Sequence, residues 1–458
     1  MVEKRKKTSQ NAVVSGARQA ALEILSQLFR RPEDATPLPV ILARAGASLD
    51  GREAARLSEL TYGVLRRHAA LDAALAGFLK KPEALSFQVR MLLRLGAYEI
   101  LFMDGVPARA TVNELVNLAR RRFGQGLGGL VNGVLRAVDR ESETLRRAAR
   151  EKETLLEQGG LGAEGMAEAS SLPLWLISLW TEQYGVGQAS RFAANALAHP
   201  APCWRVNMAK AGGGTLVERW VERGYVPVGK GGFSSQGLER NRPEEESERD
   251  ALASLERQGD LTRQGATSQL AVEYLASWIR AEKTLADAPL WDACCGRGGK
   301  TTALLEKGVH VALASEPASF RLEELKSALE RLGLPQPQLR CSPAQEGDAP
   351  FPLILLDVPC SGTGTLARNA ELRLRLSPER LAEAVRLQAD ILHHAWDKLL
   401  PGGALFYVTC ALNREENEGQ IARFLEGRED VRLEEERAFL PVFPGQDALF
   451  LAILRKEA

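Results

Sequence analysis

The stretch Leu290-Trp291-Asp292-Ala293-Cys294-Cys295-Gly296-Arg297-Gly298-Gly299-Lys300-Thr301 decides the fold of the carboxyl half. A short apolar strand, Leu290 to Ala293, runs into a glycine-rich turn that opens toward a helix. Glycines there let the backbone come close to a ligand, at the carboxyl end of a strand where open α/β sheets bind. Working outward, apolar strands are predicted at Val309 to Ala314, Pro352 to Asp357 and Ala404 to Cys410, alternating with amphipathic helices. From about Leu261 onward this pattern is that of a parallel α/β sheet. Leu381, Val385, Ala389, Leu392, Trp396 and Leu399 repeat at helical spacing, and Pro401-Gly402-Gly403 is expected to end that helix. Glu316 lies 24 residues beyond Asp292, where an acidic residue commonly takes the ribose hydroxyls of an adenosine cofactor. The turn alone fits a nicotinamide dehydrogenase, a methyltransferase or a purely structural bend.

Two further strand ends narrow the choice. Leu355-Leu356-Asp357-Val358-Pro359-Cys360-Ser361-Gly362-Thr363-Gly364 ends a strand with a carboxylate and follows it with a thiol. Phe406-Tyr407-Val408-Thr409-Cys410-Ala411-Leu412-Asn413, followed by Glu415, Glu416 and Asn417, places a second thiol at another strand end. One cysteine after a strand is most often a small buried hydrophobe. Two, beside a glycine-rich cofactor turn, point to chemistry. Carbon 5 of cytosine is a poor nucleophile until a thiolate adds to carbon 6, which creates an enamine able to attack an electrophilic methyl. An ordinary thiol has a pKa near 8.5, so such a cysteine needs a polar, partly open strand end. Asp357 would bind the ring nitrogen and exocyclic amine as charge develops. Expelling the enzyme sulfur afterwards calls for a second polar group, for which Cys360 is the candidate.

The rest of the chain is organised around this region. At 458 residues, 45% apolar and 26% charged, it is long enough for two or three domains and is not disordered or fibrous. Residues 1 to 150 hold 25 Lys+Arg against 15 Asp+Glu, and the remainder 34 against 44, so a neutral chain hides a basic front end suited to phosphates. That surplus is equally what a solvated helical surface carries. From Ala17 to about Arg140 the pattern is all-α, with Ala21, Ile24, Leu25 and Leu28 at helical spacing and a break at Gly105-Val106-Pro107. Residues 141 to 170 read as a linker helix and loop. Trp204-Arg205-Val206-Asn207 and Tyr225-Val226-Pro227-Val228 are strand-like, and Glu239 to Asp250 is expected to be a solvated loop. Met1 to Gln10 is basic without an apolar run, so no signal peptide is expected, and no apolar stretch reaches membrane-spanning length. Six cysteines without a CxxC pair are expected to be reduced thiols and not a zinc site.

The motifs DACCGRGGKT, DVPCSGTG and YVTCALNREENE together resemble the Nol1/Nop2/Sun family of RNA 5-methylcytosine methyltransferases, as do Arg263-Gln264-Gly265-Ala266-Thr267-Ser268-Gln269-Leu270 and Asp447-Ala448-Leu449-Phe450. Leu93-Arg94-Leu95-Gly96-Ala97-Tyr98-Glu99-Ile100-Leu101 and Val131-Asn132-Gly133-Val134-Leu135-Arg136 are similar to the NusB-like RNA-binding domain. The resemblance implies a multidomain chain. Its parts are a NusB-like all-α domain over residues 14–142, a linker helix with a small α+β RNA-binding subdomain over 143–260, and a Rossmann-like S-adenosylmethionine methyltransferase domain over 261–458. It implies Cys410 as nucleophile, Cys360 as the cysteine assisting release and Asp357 as the substrate-contacting acid. The cofactor loop falls on Asp292, Ala293, Cys294, Cys295, Gly296, Arg297, Gly298, Gly299 and Lys300, with the ribose acid on Glu316 and Asp357 beside the cofactor.

The chain departs from the family pattern in three places. Cys295-Gly296-Arg297 stands where the family has Ala-Ala-Pro, Glu316 stands for an Asp, and the family's adenine-side Asp is replaced near Ser342. The expected activity is methylation of carbon 5 of a cytosine in 16S ribosomal RNA, in a cytoplasmic monomer without metal or membrane partner. Alternatives are the same chemistry on transfer RNA or large-subunit RNA, and a non-catalytic RNA-binding factor, which would have no use for the two thiols.

Overall fold

The computed structural model describes residues 16–457, except 35, 211, 239–244, 348 and 442. Met1 to Gln10, and with it the reading of no signal peptide, lies outside the described residues. The chain divides into two units. The first takes the residues up to Leu197 together with Asn369–Arg375, and the second takes Ala198–Arg368 and Leu376–Ala458.

The first unit is helical: α1 (Gly16–Arg30), α2 (Leu38–Gly46), α3 (Gly51–Ala76), α4 (Phe87–Phe102), α5 (Ala108–Phe123), α6 (Gln125–Arg140), α7 (Ser142–Gln158), α8 (Ala163–Ser170), α9 (Leu174–Tyr184) and α10 (Val186–Leu197). The all-α reading of residues 17 to 140 is met by α1 to α6. Helix α4 is the axis of the bundle, buried on nearly every side from Met91 to Leu101. A helix apolar all round belongs in the interior. Neighbours come close where glycine allows it: a Cβ at Gly96 would stand 2.6 Å from a methyl of Leu135. Buried Arg18 ties three helices by donating to Glu99 on α4 at 2.6 and 2.9 Å and to Glu114 on α5 at 2.7 Å. Residues 163–170, read as loop, form helix α8, because Met166 and Ala169 find a buried face there. The excursion Asn369–Arg375 is lodged in this unit by Arg373, 3% exposed, whose guanidinium donates to the carbonyls of Arg66, Ser170 and Ala196 at 2.9 to 3.0 Å.

The second unit holds two sheets. Strands β1 (Cys203–Val206), β2 (Val226–Val228), β3 (Gly232–Ser234) and β4 (Leu261–Arg263) make an antiparallel sheet in the order β2-β3-β1-β4, joined by α11 (Gly213–Glu222) and α12 (Glu245–Gln258). Trp204, Trp220, Tyr225 and Phe233 form its core, with Phe233 stacked on both indoles at 5.6 Å. The expected loop at Glu239 to Asp250 is corrected in part. From Glu245 on it is the start of α12, whose first-turn acids Glu245, Glu246 and Glu248 favour the positive end of the helix dipole. Residues 239–244 lie outside the described residues.

Around the second sheet are α13 (Ala266–Ala281), β5 (Leu290–Asp292), α14 (Gly299–Glu306), β6 (Val311–Ser315), α15 (Ser319–Leu332), β7 (Gln338–Arg340), β8 (Phe351–Asp357), α16 (Pro378–Asp397), β9 (Leu399–Thr409), α17 (Glu418–Leu425), β10 (Val431–Phe439) and β11 (Leu449–Lys456). The sheet order is β10-β11-β9-β8-β5-β6-β7. Strands β5 to β9 run parallel, as expected, while β10 and β11 add an antiparallel edge. Leu353 to Leu356 are fully buried, as a strand covered on both faces requires. Helix α16 starts on a Ser377 cap that accepts from the Arg380 amide, and it stops at Asp397. Pro401-Gly402-Gly403 therefore does not end it. Leu399 already pairs with Phe351, and the register then jumps to Ala404 opposite Leu353, so the Pro-Gly-Gly run bulges within β9.

Candidate active site

The chain leaves β5 toward β6 and β7 on one side and returns at β8 on the other. Such a reversal opens a crevice at the carboxyl ends of the strands, which is where open α/β sheets bind ligands. Asp292 ends β5, Glu316 follows β6, Ser342 follows β7, Asp357 ends β8 and Cys410 follows β9.

Between β5 and α14 lies the glycine turn. Gly296 and Gly298 have φ of +55° and +79°, left-handed values that suit glycine. A Cβ at Gly298 would also meet Leu325 at 2.2 Å. The backbone is pinned by Ala293 N–H donating to Leu355 O at 2.9 Å and Cys295 N–H to Ser315 O at 3.0 Å. Asp292 is 1% exposed; its Oδ2 accepts from Thr301 Oγ1 at 2.6 Å, and its buried Oδ1 has no partner. Burial pushes this carboxyl up to about 7, against the pull of Thr301. Burial and the charge of Asp292 push the thiols of Cys294 and Cys295 up as well, so both stay protonated. Arg297 is paired with Glu324 at 3.1 Å, both half-exposed.

Lys300 leaves α14 to donate to Asp357 Oδ2 at 2.6 Å. Burial would lower its pKa, but the charges of Asp357 and Cys410 outweigh it and raise it. Glu316 is 4% exposed, its Oε1 accepting from Ala318 N–H at 3.1 Å and Arg321 at 3.2 Å. Ser342 Oγ is sealed from solvent and has no hydrogen-bond partner. The turn is braced from the small sheet: Arg205 on β1 donates to Glu306 at 2.7 and 2.9 Å, to Gln264 at 2.6 Å, to Gly299 O at 3.1 Å and to Thr302 at 3.0 Å.

The two thiols meet on adjacent strands. Cys360 Sγ and Cys410 Sγ are 3.1 Å apart, and the Cys410 amide donates to Cys360 Sγ at 3.4 Å. Cys360 is pushed well above the ordinary thiol range, first by its hydrogen bond to Cys410 and then by burial. Gly364 lets the two loops cross: its N–H donates to Cys410 O at 2.9 Å, and a Cβ there would stand 2.7 Å from that carbonyl. Behind Cys360 lies Glu416, fully buried, accepting from Ser361 N–H at 2.7 Å, from Ser361 Oγ, from Gln388 at 2.9 Å and from Asn413 at 3.2 Å. The arrangement brings an acid, a lysine and two thiols together at the carboxyl ends of β5, β8 and β9.

Comparison with known proteins places these features in a lineage. A model described as 16S rRNA methyltransferase RsmB/F matches residues 282–453, and a NusB family model matches residues 15–140. The probable ribosomal RNA small subunit methyltransferase B of Synechocystis is 30% identical, over 96% of this chain and 99% of its own. The chain belongs to this ribosomal RNA small subunit methyltransferase B family. A Bacillus subtilis relative, a probable member, is 28% identical over 88% of this chain and 90% of its own. The Vibrio cholerae member is 30% identical over 91% and 92%. The crystal structure of PH0851 shares the fold, with a TM-score of 0.70 at 20% identity over 97% of this chain and 99% of its own.

Within this methyltransferase the predicted residues divide. Asp292, Ala293, Cys294, Cys295, Gly296, Gly298, Asp357, Cys360 and Cys410 lie at or just beyond the carboxyl ends of β5, β8 and β9, Gly299 and Lys300 open α14, and Glu316 and Ser342 follow the flanking strands. Arg297 is turned into an exposed ion pair. Sequence reasoning missed Arg205, Glu306 and Gln388, which act through partners far along the chain. A signal was present in Arg205, a charged residue inside an apolar strand run. Among the described residues no cluster could hold a metal ion, and no helix is long and apolar enough to cross a membrane.

Proposed function

We propose that this chain methylates carbon 5 of a cytosine in 16S ribosomal RNA, with S-adenosylmethionine as methyl donor, Cys410 as nucleophile and Cys360 assisting release. The observation that carries the reading is the 3.1 Å approach of the two sulfurs at adjacent strand ends, beside the Lys300–Asp357 pair. A structural cysteine has no need of a second thiol and a half-buried ion pair at one crevice.

The crevice suits the donor. Buried Glu316 beyond β6 stands where ribose hydroxyls are held, Asp292 keeps an unpartnered oxygen, and the space beside Gly296 is open. Asp292 through Lys300, Glu316, Ser342 and Asp357 would hold S-adenosylmethionine, which supplies an electrophilic methyl group. Glu316 for Asp lengthens the ribose acid. Ser342 in place of an Asp leaves a neutral oxygen on the adenine side.

The protein's part follows from charge. Cys410, beside the Lys300 ammonium, adds as its thiolate to carbon 6 of the base. Asp357 binds the polar edge of the ring, and carbon 5 would take the methyl group from the donor's sulfonium sulfur, which would keep the electron pair of the broken sulfur–methyl bond. Release passes the carbon 5 proton to water as base and returns the carbon 6–sulfur electron pair to Cys410, and the Cys360 S–H donates to the sulfur so freed. Residues 14–142 would bind RNA phosphates with their basic surplus, 143–260 would contact the RNA beside them, and 261–458 would carry the chemistry.

Purified protein should transfer labelled methyl from S-adenosylmethionine to cytosine in unassembled small-subunit RNA, with bisulfite mapping locating the product. Cys410→Ala should abolish transfer and Cys360→Ala should accumulate a covalent protein–RNA adduct. Full activity in Cys410→Ala would refute the mechanism.

A further inference from the structure

Glu416 is a fully buried carboxylate whose hydrogen-bond donors are neutral: Ser361 N–H and Oγ, Gln388 Nε2 and Asn413 Nδ2. A buried carboxylate without a paired cation is costly, and groups so perturbed cluster at functional sites. The donors come from three elements: the loop after β8, helix α16 and the loop after β9. Gln388 Nε2 donates both to Glu416 at 2.9 Å and to Pro359 O at 2.9 Å. Glu416 therefore grips Ser361 directly and Pro359 through Gln388, the residues on either side of Cys360. Its own backbone is fixed by Tyr407, whose hydroxyl donates to Glu416 O at 2.8 Å.

We propose that Glu416 is a positioning residue for the release step, its buried carboxylate fixing the chain on both sides of Cys360 and so holding that thiol at hydrogen-bond distance from Cys410. The inference rests on the reading of Cys410 as nucleophile and Cys360 as release group. The carboxylate has a second effect through space. Its negative charge adds to the hydrogen bond with Cys410 and to burial in keeping the Cys360 thiol protonated, so Cys360 does not compete for the base. Cys410 sits instead beside Lys300. The buried anion thus lies on the Cys360 side of the sulfur pair and the Lys300 cation on the Cys410 side.

The test uses the full chain, unassembled small-subunit RNA and labelled S-adenosylmethionine. Glu416→Gln keeps the shape but removes the charge and turns an acceptor into a donor. Single-turnover methyl transfer should stay within about threefold of wild type, while decay of the covalent adduct on denaturing gels slows roughly tenfold or more, as expected for losing hydrogen bonds to a charged group. Glu416→Asp should recover release in part, and Ser361→Ala, losing one donor, should slow it less. If transfer and release fall together with thermal stability, or if release is unchanged, Glu416 is not a positioning residue for this step. Cys360→Ala run beside it separates the two readings. Adduct in Cys360→Ala but not in Glu416→Gln sinks the Glu416 inference alone, whereas no adduct in Cys360→Ala sinks the assignment beneath it.

Discussion

Replacing Arg205 by Met should destabilise the second unit more than any surface change, because it strands a buried anion. The side chains of Arg205 and Glu306 are 4% and 2% exposed, and their two hydrogen bonds are 2.7 and 2.9 Å. Removing one partner of such a pair costs about 3–5 kcal/mol. For a unit of this size each kcal/mol lowers the midpoint by about 2–4 °C, so a fall of about 6–20 °C is expected. The double variant Arg205→Met with Glu306→Leu removes both charges and should recover most of the loss, since an apolar pair of similar volume is often neutral or better. Donor affinity should fall in the single variant, because Arg205 also braces Gly299 O in the first turn of α14 and Gln264 beside it. Calorimetry with and without S-adenosylmethionine measures both effects. A single-variant loss under about 1 kcal/mol, or a double variant no better than the single, would refute the argument that uncompensated burial dominates.

Two further outcomes follow from the site. The Asp292 carboxyl is raised to about 7 from an ordinary 3.8, so its favourable contribution is complete below the lower value and is lost as pH rises through the upper one. Asp292→Asn should flatten denaturant stability between these values and gain at most about 4 kcal/mol at pH 8; an unchanged pH slope would count against it. Gly364→Ala puts a methyl 2.7 Å from Cys410 O and 2.8 Å from Ala448 O, both backbone, so the strand end bearing Cys410 must shift. Methyl transfer should drop roughly 100-fold with donor binding retained, and wild-type turnover would show that the loops can part freely.

The sequence made the carboxyl half legible because its strands are short, apolar and capped by glycine or cysteine. Four strands expected from Leu290, Val309, Pro352 and Ala404 appear within a few residues of those starts. Strand β10 escaped, since Val431-Arg432-Leu433-Glu434-Glu435-Glu436-Arg437 carries the charges of a sheet edge rather than apolar alternation. Pro401-Gly402-Gly403 misled because the same residues that break helices also make strand bulges, and only the partner strand decides between them. The two thiols were readable from their strand-end positions. The bracing residues were not. Arg205 meets Glu306 across 101 residues and Ser361 meets Glu416 across 55, and no local pattern encodes such a pairing.

The excursion Asn369–Arg375 bears on how such a chain can be inherited. It begins nine residues after Cys360, yet its arginine donates to carbonyls on α3, α8 and α10, all of which precede Ala198. A gene fragment encoding the catalytic region alone would carry Arg373 with no carbonyls to bind, and the helices alone would leave the helix-end carbonyls of Ser170 and Ala196 without this donor, each at a cost of about 1–3 kcal/mol. The front and back halves are thus not interchangeable cassettes. Recombination that swapped one would have to swap a seven-residue plug from the middle of the other, which favours descent of the two as a single inherited piece.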